Sequence, residues 1–247
     1  MMAAAAVVGR PPVLVCAHRG SSSTHPENTL EAFKASVALG VDQVEFDVRL
    51  TSDLQPVLMH DPTVDRTTDG SGQIWELTLA DVAKLDAGRA FWPRFKGVRV
   101  PTLDQVLAVV PRTVEMNVHV NPGPSDVEEL VRQVCATLRQ GNRMECAFVT
   151  GNEAVMEAVI ADTPTARRCM GSRPASTHAH YGCYGIQPTN SDTTGALVKE
   201  AHEAGRLVWP FFANDPAEMR RLIACGVDGI LTDKPADLLA LRTTAAL

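Results

Sequence analysis

Short apolar runs rich in β-forming residues recur along the whole chain, each followed by a segment of helical pattern, and this alternation limits the fold more than any other feature. Eight runs stand out: Val13–Cys16, Val44–Leu50, Thr113–Val120, Cys146–Thr150, Arg167–Met170, Gly185–Gln187, Leu207–Phe211 and Gly229–Leu231. Helical patterns lie between them, among them Thr29 to Gly40, Thr102 to Val109, Ser125 to Gln140, Glu153 to Ala161 and one beginning at Pro235. Eight strand and helix units in 247 residues match the count and length of a (β/α)8 (TIM) barrel. Alternation alone leaves an open doubly wound sheet available. No G-x-G-x-x-G follows the first strand, however, so the dinucleotide-binding form of that sheet is disfavoured. A ninth short run, Pro56–His60, leads into a connection from Asp61 to Pro101 rich in Asp, Thr, Gly and Pro, and connections this long are usually functional.

Function classes are narrowed by charge and by what the chain does not contain. The net charge is -6 and no basic block interrupts the sequence, so broad attraction to nucleic acid or to an anionic bilayer is not expected, and an anionic ligand must be captured locally. No stretch approaches the roughly 18 uninterrupted apolar residues of a membrane span. Met1 to Pro12, an Ala/Val run ending in Gly9, Arg10 and two prolines, reads as a frayed leader and not as a signal peptide, because no basic residue precedes an apolar core of the required length. Six cysteines at wide intervals (Cys16, Cys135, Cys146, Cys169, Cys183, Cys225) form neither a C-x-x-C pair nor a disulfide framework and are expected to be reduced. A cytoplasmic location follows as the expectation.

Polar outliers gather where a barrel keeps its chemistry, at the C-terminal ends of strands. His18 and Arg19 follow the first run, His60 follows the Pro56 run, and His119 lies in the third barrel strand. In the run VEFDVRL the strand period puts Glu45, Asp47 and Arg49 on one face and Val44, Phe46, Val48 and Leu50 on the other. Two carboxylates one pleat repeat apart are costly unless a cation sits between them or arginines neutralise them. A divalent metal is the simplest remedy; the alternative is that the pair faces solvent or binds Arg49 and Arg19. His18 and His60 each close an apolar strand and each precede a charged residue, Arg19 or Asp61, able to orient an imidazole or grip an anion. His25, His178, His180 and His202 lack that context and are expected in structural or surface roles. Together these residues point to a metal-assisted acid/base enzyme acting on an anionic substrate.

The ordered motifs AHRG-x5-PENT (through His18, Arg19, Gly20 and Pro26 to Thr29), E-x-D (Glu45, Asp47) and PVLMHDPTVDRTTDGSG (Pro56 to Gly72) closely resemble the glycerophosphodiester phosphodiesterase family. The resemblance continues through ELTLADVAKLDAG, VPTLDQVL and the C-terminal NDPAEMRRLIACGVDGILTDKP, and is weak only between about Cys146 and Gly182. It implies a (β/α)8 barrel formed by the single domain 1–247, with a small insertion after the second strand, here about residues 61–100. It further implies His18 and His60 as general base and acid, Arg19 as the phosphate holder, and Glu45 and Asp47 as ligands of one divalent ion, Mg²⁺ or Ca²⁺ by family habit. In the mechanism so implied, the metal binds a phosphoryl oxygen and a substrate hydroxyl, one histidine takes that hydroxyl's proton and the other protonates the leaving alcohol. A neighbouring glycerol hydroxyl attacking first would give a cyclic phosphate for water to open. The implied reaction is hydrolysis of a small glycerophosphodiester to glycerol 3-phosphate and an alcohol, a step of glycerol and lipid metabolism.

One segment departs from the family pattern. The third-strand motif usually reads like L-N-I-E-I-K-P, whereas this chain has MNVHVNP, so His119 stands for a metal-binding glutamate and Asn121 for a phosphate-facing lysine. Imidazole in place of carboxylate makes the site one negative charge poorer and softer, favouring Mn²⁺ or Zn²⁺ over Mg²⁺ or Ca²⁺. In the WPFFAN run, Phe211 takes the place of a family tryptophan and is the candidate wall for the alcohol part of the substrate. Two further readings follow from these residues. One is a lysophospholipase D-type activity, with an apolar groove near Phe91, Trp92 and Phe95. The other is a phosphate-ligand binding barrel that His119 and Asn121 have left without chemistry.

Overall fold

A computed structural model describes residues 13–89 and 91–244. The run Met1 to Pro12, expected as a frayed leader, lies outside the described residues. The chain runs β1 (Leu14–His18), α1 (Leu30–Leu39), β2 (Gln43–Leu50), β3 (Pro56–Leu58), α2 (Leu79–Val82), α3 (Leu103–Val109), β4 (Glu115–Val120), α4 (Val127–Gln140), β5 (Ala147–Thr150) and α5 (Glu153–Asp162). It continues through β6 (Arg168–Gly171), α6 (Ala175–His180), β7 (Gly185–Gln187), α7 (Gly195–Glu203), β8 (Leu207–Val208), α8 (Pro216–Cys225), β9 (Gly229–Thr232) and α9 (Pro235–Thr244). Eight of these strands lie parallel in the order β8-β7-β6-β5-β4-β2-β1-β9, while β3 folds back antiparallel on β2. The sheet rolls almost shut, as a (β/α)8 barrel requires. Where β8 meets β9 the ladder is reduced to three backbone bonds: Asp228 N to Val208 O at 3.0 Å, Leu231 N to Pro210 O at 3.2 Å and Ala213 N to Leu231 O at 2.9 Å. Pro210 explains why β8 stops short of the expected Phe211, since proline has no amide hydrogen to continue a ladder.

Helix boundaries follow from residues that satisfy end groups. Thr29, Asn152, Thr194 and Asp215 each accept an amide hydrogen at a helix start, and Thr78 and Thr102 do so within reciprocal capping boxes. Gly40 and Gly226 close α1 and α8 in the left-handed conformation that glycine adopts without penalty.

The strand period splits the apolar residues into two layers. Val44, Phe46, Val48, Met116, Val118, Val149 and Ile230 face the helices and join Phe33, Val106, Leu130, Val134 and Met156 in the main core. Inside the barrel a separate cluster of Cys16, Phe148, Cys169, Trp209 and Leu231 forms the floor beneath the polar mouth. Trp209 is fully buried and stacks on Phe148 at 5.1 Å between ring centroids. Two glycines admit its indole: a Cβ at Gly185 would lie 2.1 Å from Trp209 Cζ3, and one at Gly229 would lie 2.5 Å from Cδ1. Trp209→Ala is therefore expected to lower the unfolding free energy by about 4 kcal/mol, because the flanking glycines carry no side chain to collapse into the hole. Urea denaturation of wild type and variant checks this; a loss under about 1 kcal/mol would mean that the floor repacks.

The stretch between β3 and α3 contains two short 3-10 turns and α2, and a small core of its own with Val64, Ile74, Val82 and Val100 under Met59. All six cysteines are free thiols. Among the described residues no helix is long and apolar enough to cross a membrane.

Candidate active site

Every functional side chain expected from the sequence lies at the C-terminal mouth of the barrel. Parallel register brings Glu45 beside His18, and Asp47 beside His119. A cavity of about 340 Å³ opens there, walled by His18, Arg19, Glu45, Asp47, His60 and His119, with Phe211 and Phe212 on its rim. That volume lies in the range of small-molecule sites.

The first turn after β1 is built for close approach. Gly20 has φ +81°, and a Cβ there would lie 2.6 Å from that of Ala32, so the HRG glycine lets the loop pack onto α1. Arg19 and Asn28 also adopt left-handed backbone (φ 55° and 56°), joined by Asn28 N to Arg19 O at 3.0 Å. Such conformations cluster where a fold holds side chains in set positions.

Glu45, Asp47 and His119 form a compact group. His119 Nδ1 lies 3.0 Å from Asp47 Oδ1 and 4.0 Å from Glu45 Oε1, and one ligand atom from each residue falls within 4.8 Å of the others. A single ion with ligand bonds of about 2.1–2.4 Å spans such a set, so two carboxylates and one imidazole fit a divalent metal. Burial and the neighbouring Asp47 charge push the Glu45 carboxyl up to about 7, against the pull of His18, His119 and Arg19. Asp47 goes the other way: burial raises it, but the His119 hydrogen bond and the charges of His119, Arg19 and His60 prevail and hold it well below the usual carboxylate range.

Asp47 is saturated with partners. Asn28 Nδ2 donates to Oδ2 at 3.0 Å, Asn121 Nδ2 donates to Oδ1 at 2.8 Å, and Arg19 Nε lies 3.2 Å from Oδ2. Asn121, expected to face the phosphate, thus turns its amide to the candidate metal ligand. Arg49 is spent on main-chain oxygens, donating to His60 O and Asn121 O, and so pins β2 to the strand ends on either side. Arg19 neutralises the carboxylate pair in part, as the metal-free reading required.

Each candidate catalytic histidine is held by a carboxylate. His18 Nδ1 meets Asp233 Oδ1 at 2.7 Å; Asp233 in turn accepts from Ser22 Oγ at 2.9 Å and from Asn214 Nδ2 at 2.5 Å. The His18 ring also stacks on Phe212 at 4.9 Å, and its Nε2 lies 3.9 Å from Glu45 Oε2. Burial lowers the His18 pKa, but the Asp233 hydrogen bond and the Glu45 charge outweigh it and leave the value raised. His60 Nδ1 meets Asp61 Oδ1 at 2.6 Å, and Arg66 grips Asp61 with the Nε–Nη2 edge of its guanidinium. Arg66 reaches on to Glu27 with two bonds of 2.8 Å, and Glu27 accepts from Arg19 Nη1 at 2.9 Å. A chain of charge thus runs His60–Asp61–Arg66–Glu27–Arg19, tying the β3 hairpin to the loop after β1.

Sequence reasoning did not single out Asp233, Asn214, Glu27, Arg66 or Phe212. Asp233 carried a usable signal, since it follows the last barrel strand directly. Arg66 did not, because nothing in its neighbours reveals a partner 39 residues away. His178 and His202 are occupied structurally, with Gly171 O at 3.0 Å and Asp228 Oδ2 at 2.8 Å.

Comparison with known proteins agrees with this geometry. Residues 18–237 match the sequence model described as the glycerophosphoryl diester phosphodiesterase family. A glycerophosphodiester phosphodiesterase of Caldanaerobacter subterraneus is 34% identical over 239 residues, covering 92% of this chain and 97% of that protein. An Oleispira antarctica phosphodiesterase, solved with the product sn-glycerol-3-phosphate, superposes with a TM-score of 0.88 at 28% identity over 93% of this chain and 96% of its own. A glycerophosphodiester phosphodiesterase from Agrobacterium tumefaciens gives 0.83 at 26% identity, covering 92% and 99%. With the family's motifs, its barrel and paired histidines and carboxylates at one mouth, the chain belongs to the glycerophosphoryl diester phosphodiesterase family.

Proposed function

We propose that this chain hydrolyses a water-soluble glycerophosphodiester to glycerol 3-phosphate and an alcohol, using His18 and His60 as base and acid beside one divalent ion. The observation that carries the reading is that two carboxylate-held imidazoles line one cavity with the Glu45–Asp47–His119 cluster. Those three residues would hold the ion, which supplies Lewis-acid polarisation of the phosphoryl group and charge neutralisation. Asp233 keeps the His18 proton on Nδ1 and leaves Nε2 free to take a proton from an attacking hydroxyl, while Asp61 holds His60 through Nδ1 so that a proton on its Nε2 can pass to the leaving alcohol. Arg19, fixed by Glu27, donates to the phosphate; Asn121 orients Asp47 at the substrate edge, and Phe211, 41% exposed, walls the alcohol. The nitrogen ligand favours Mn²⁺ or Zn²⁺ over Mg²⁺ or Ca²⁺. We read the chain as one cytoplasmic domain with residues 61–100 as its insertion.

Protein stripped with a chelator and resupplied separately with Mg²⁺, Ca²⁺, Mn²⁺ and Zn²⁺ tests this. Release of glycerol 3-phosphate from a panel of soluble glycerophosphodiesters is expected with at least one ion, and Mn²⁺ or Zn²⁺ should restore more than Ca²⁺. Silence with every ion, from protein shown to be folded, would sink the catalytic reading. It would favour a binding barrel, for which the saturated hydrogen bonding of Asp47 is the physical argument. Including a lysophospholipid in the panel decides the lysophospholipase D alternative.

A further inference from the structure

The last part of the insertion carries a charge balance opposite to that of the chain as a whole. From Ala87 to Leu103 there is no aspartate or glutamate, while Arg89, Arg94, Lys96 and Arg99 supply four cations in a protein of net charge -6. Three aromatic residues, Phe91, Trp92 and Phe95, are interleaved with them.

The fold packs the three aromatic residues and Arg94 into one knob, while Arg99 donates from Nη1 to the Lys84 and Leu85 carbonyls at its base. Phe91 packs on Trp92 at 5.4 Å and on Phe95 at 5.8 Å, and the Arg94 guanidinium lies over the rings of Trp92 (4.4 Å) and Phe95 (4.8 Å). Trp92 is nevertheless 48% exposed, and Arg89, Arg94, Lys96 and Arg99 are all exposed. The knob is fastened to the loop that bears His18 and Arg19: Arg94 Nη2 donates to Thr24 O at 3.2 Å, and the His25 ring meets Phe95 at 5.2 Å. It therefore stands beside the catalytic mouth, whose rim also exposes Phe211 and Phe212. Large exposed apolar side chains elsewhere, Leu39, Leu54 and Ile160, are aliphatic and isolated.

We propose that this basic aromatic knob seats the catalytic face of the barrel on an anionic lipid bilayer surface. An exposed tryptophan among cations matches the water–lipid interface, where the indole sits at headgroup level and each cation gains from the negative surface potential. Charge complementarity and the exposed indole both fit a bilayer, which needs no shaped counterpart. The overall charge of -6 does not oppose this contact, because surface potentials act within about a Debye length, residues 87–103 hold no acid, and Asp86 just before them is buried and accepts from the Gly88, Arg89 and Gly97 amides. The inference is independent of the catalytic reading, since it concerns where the mouth is presented and not what happens in it.

The test is co-sedimentation of the full chain with vesicles of phosphatidylcholine alone and of phosphatidylcholine mixed with phosphatidylglycerol. Binding to the mixed vesicles only, weakening as salt is raised, is expected. Arg89→Glu/Lys96→Glu should weaken it at least roughly 20-fold, since each cation near such a surface contributes about fivefold. Trp92→Ala should weaken it severalfold. Release of glycerol 3-phosphate from a soluble substrate should be unchanged in both variants, which separates failure of docking from failure of chemistry. Mixed vesicles left unbound by folded protein, or bound equally by the charge-reversed variant, would overturn the proposal.

Discussion

Glu45→Gln is expected to stabilise the metal-free protein at pH 8 while removing its metal-dependent turnover. Glu45 is almost wholly buried beside Asp47, and its carboxyl is pushed up to about 7. A folded-state value above the unfolded one means that the native protein holds a proton the unfolded chain has released. That contribution to stability is full below the ordinary value of 4.5 and is lost as pH rises through about 7. Glutamine cannot ionise and keeps the contribution at every pH. The variant should thus exceed wild type by about 2–3 kcal/mol at pH 8, and the two should nearly coincide at pH 4. Adding the activating ion should reverse the order, since wild type gains binding free energy that the variant does not. Turnover should fall by at least about 10³-fold through loss of the ion's charge stabilisation. Melting curves at the two pH values, with and without ion, decide it. A variant less stable than wild type at pH 8 in chelator would show that the carboxylate is comfortable without metal, and that the cluster is no metal site.

His18→Ala should cost turnover about 10³-fold or more, and the more informative change is Asp233→Asn, which leaves the imidazole in place. Asp233 can only accept from His18 Nδ1, so it fixes the proton there. An asparagine can donate to Nδ1 instead, which moves the proton to Nε2 and leaves the histidine unable to act as a base. A fall in kcat of about 10²–10³-fold with KM nearly unchanged is expected. Its pH profile should lose the limb set by His18, because the carboxylate that raises the imidazole pKa is gone. Ser22 and Asn214 hold the side chain in position, so the fold should survive. An unaltered pH profile would show Asp233 to be a packing residue only.

Much of this was legible in the sequence, and the parts that were not share a physical cause. Strand period alone put Glu45 and Asp47 on the face opposite Phe46 and Val48, because a pleat admits one arrangement and the apolar face had to meet the helices. The end of β8 was read three residues too late, since apolar composition does not show that Pro210 ends the ladder. Contacts across the barrel were hidden for another reason. His18 and Asp233 are 215 residues apart, and only closure of the sheet makes them neighbours. Arg66 looks like an ordinary loop residue until the insertion is folded against the loop after β1.

The unequal closure of the barrel divides its freedom to change. On the β1–β2–β4 side, where both carboxylates and His119 sit, strands are joined along continuous ladders. On the β8–β9 side, three backbone bonds carry the seam beneath Phe211 and Phe212. A substitution at Phe211 therefore disturbs few main-chain bonds and none of those that place Glu45, Asp47 and His119, whereas Phe212 is less free because its ring stacks on His18. On the proposed function, the wall at Phe211 can vary by descent while Glu45, Asp47 and His119 on the β1–β2–β4 side are inherited unchanged.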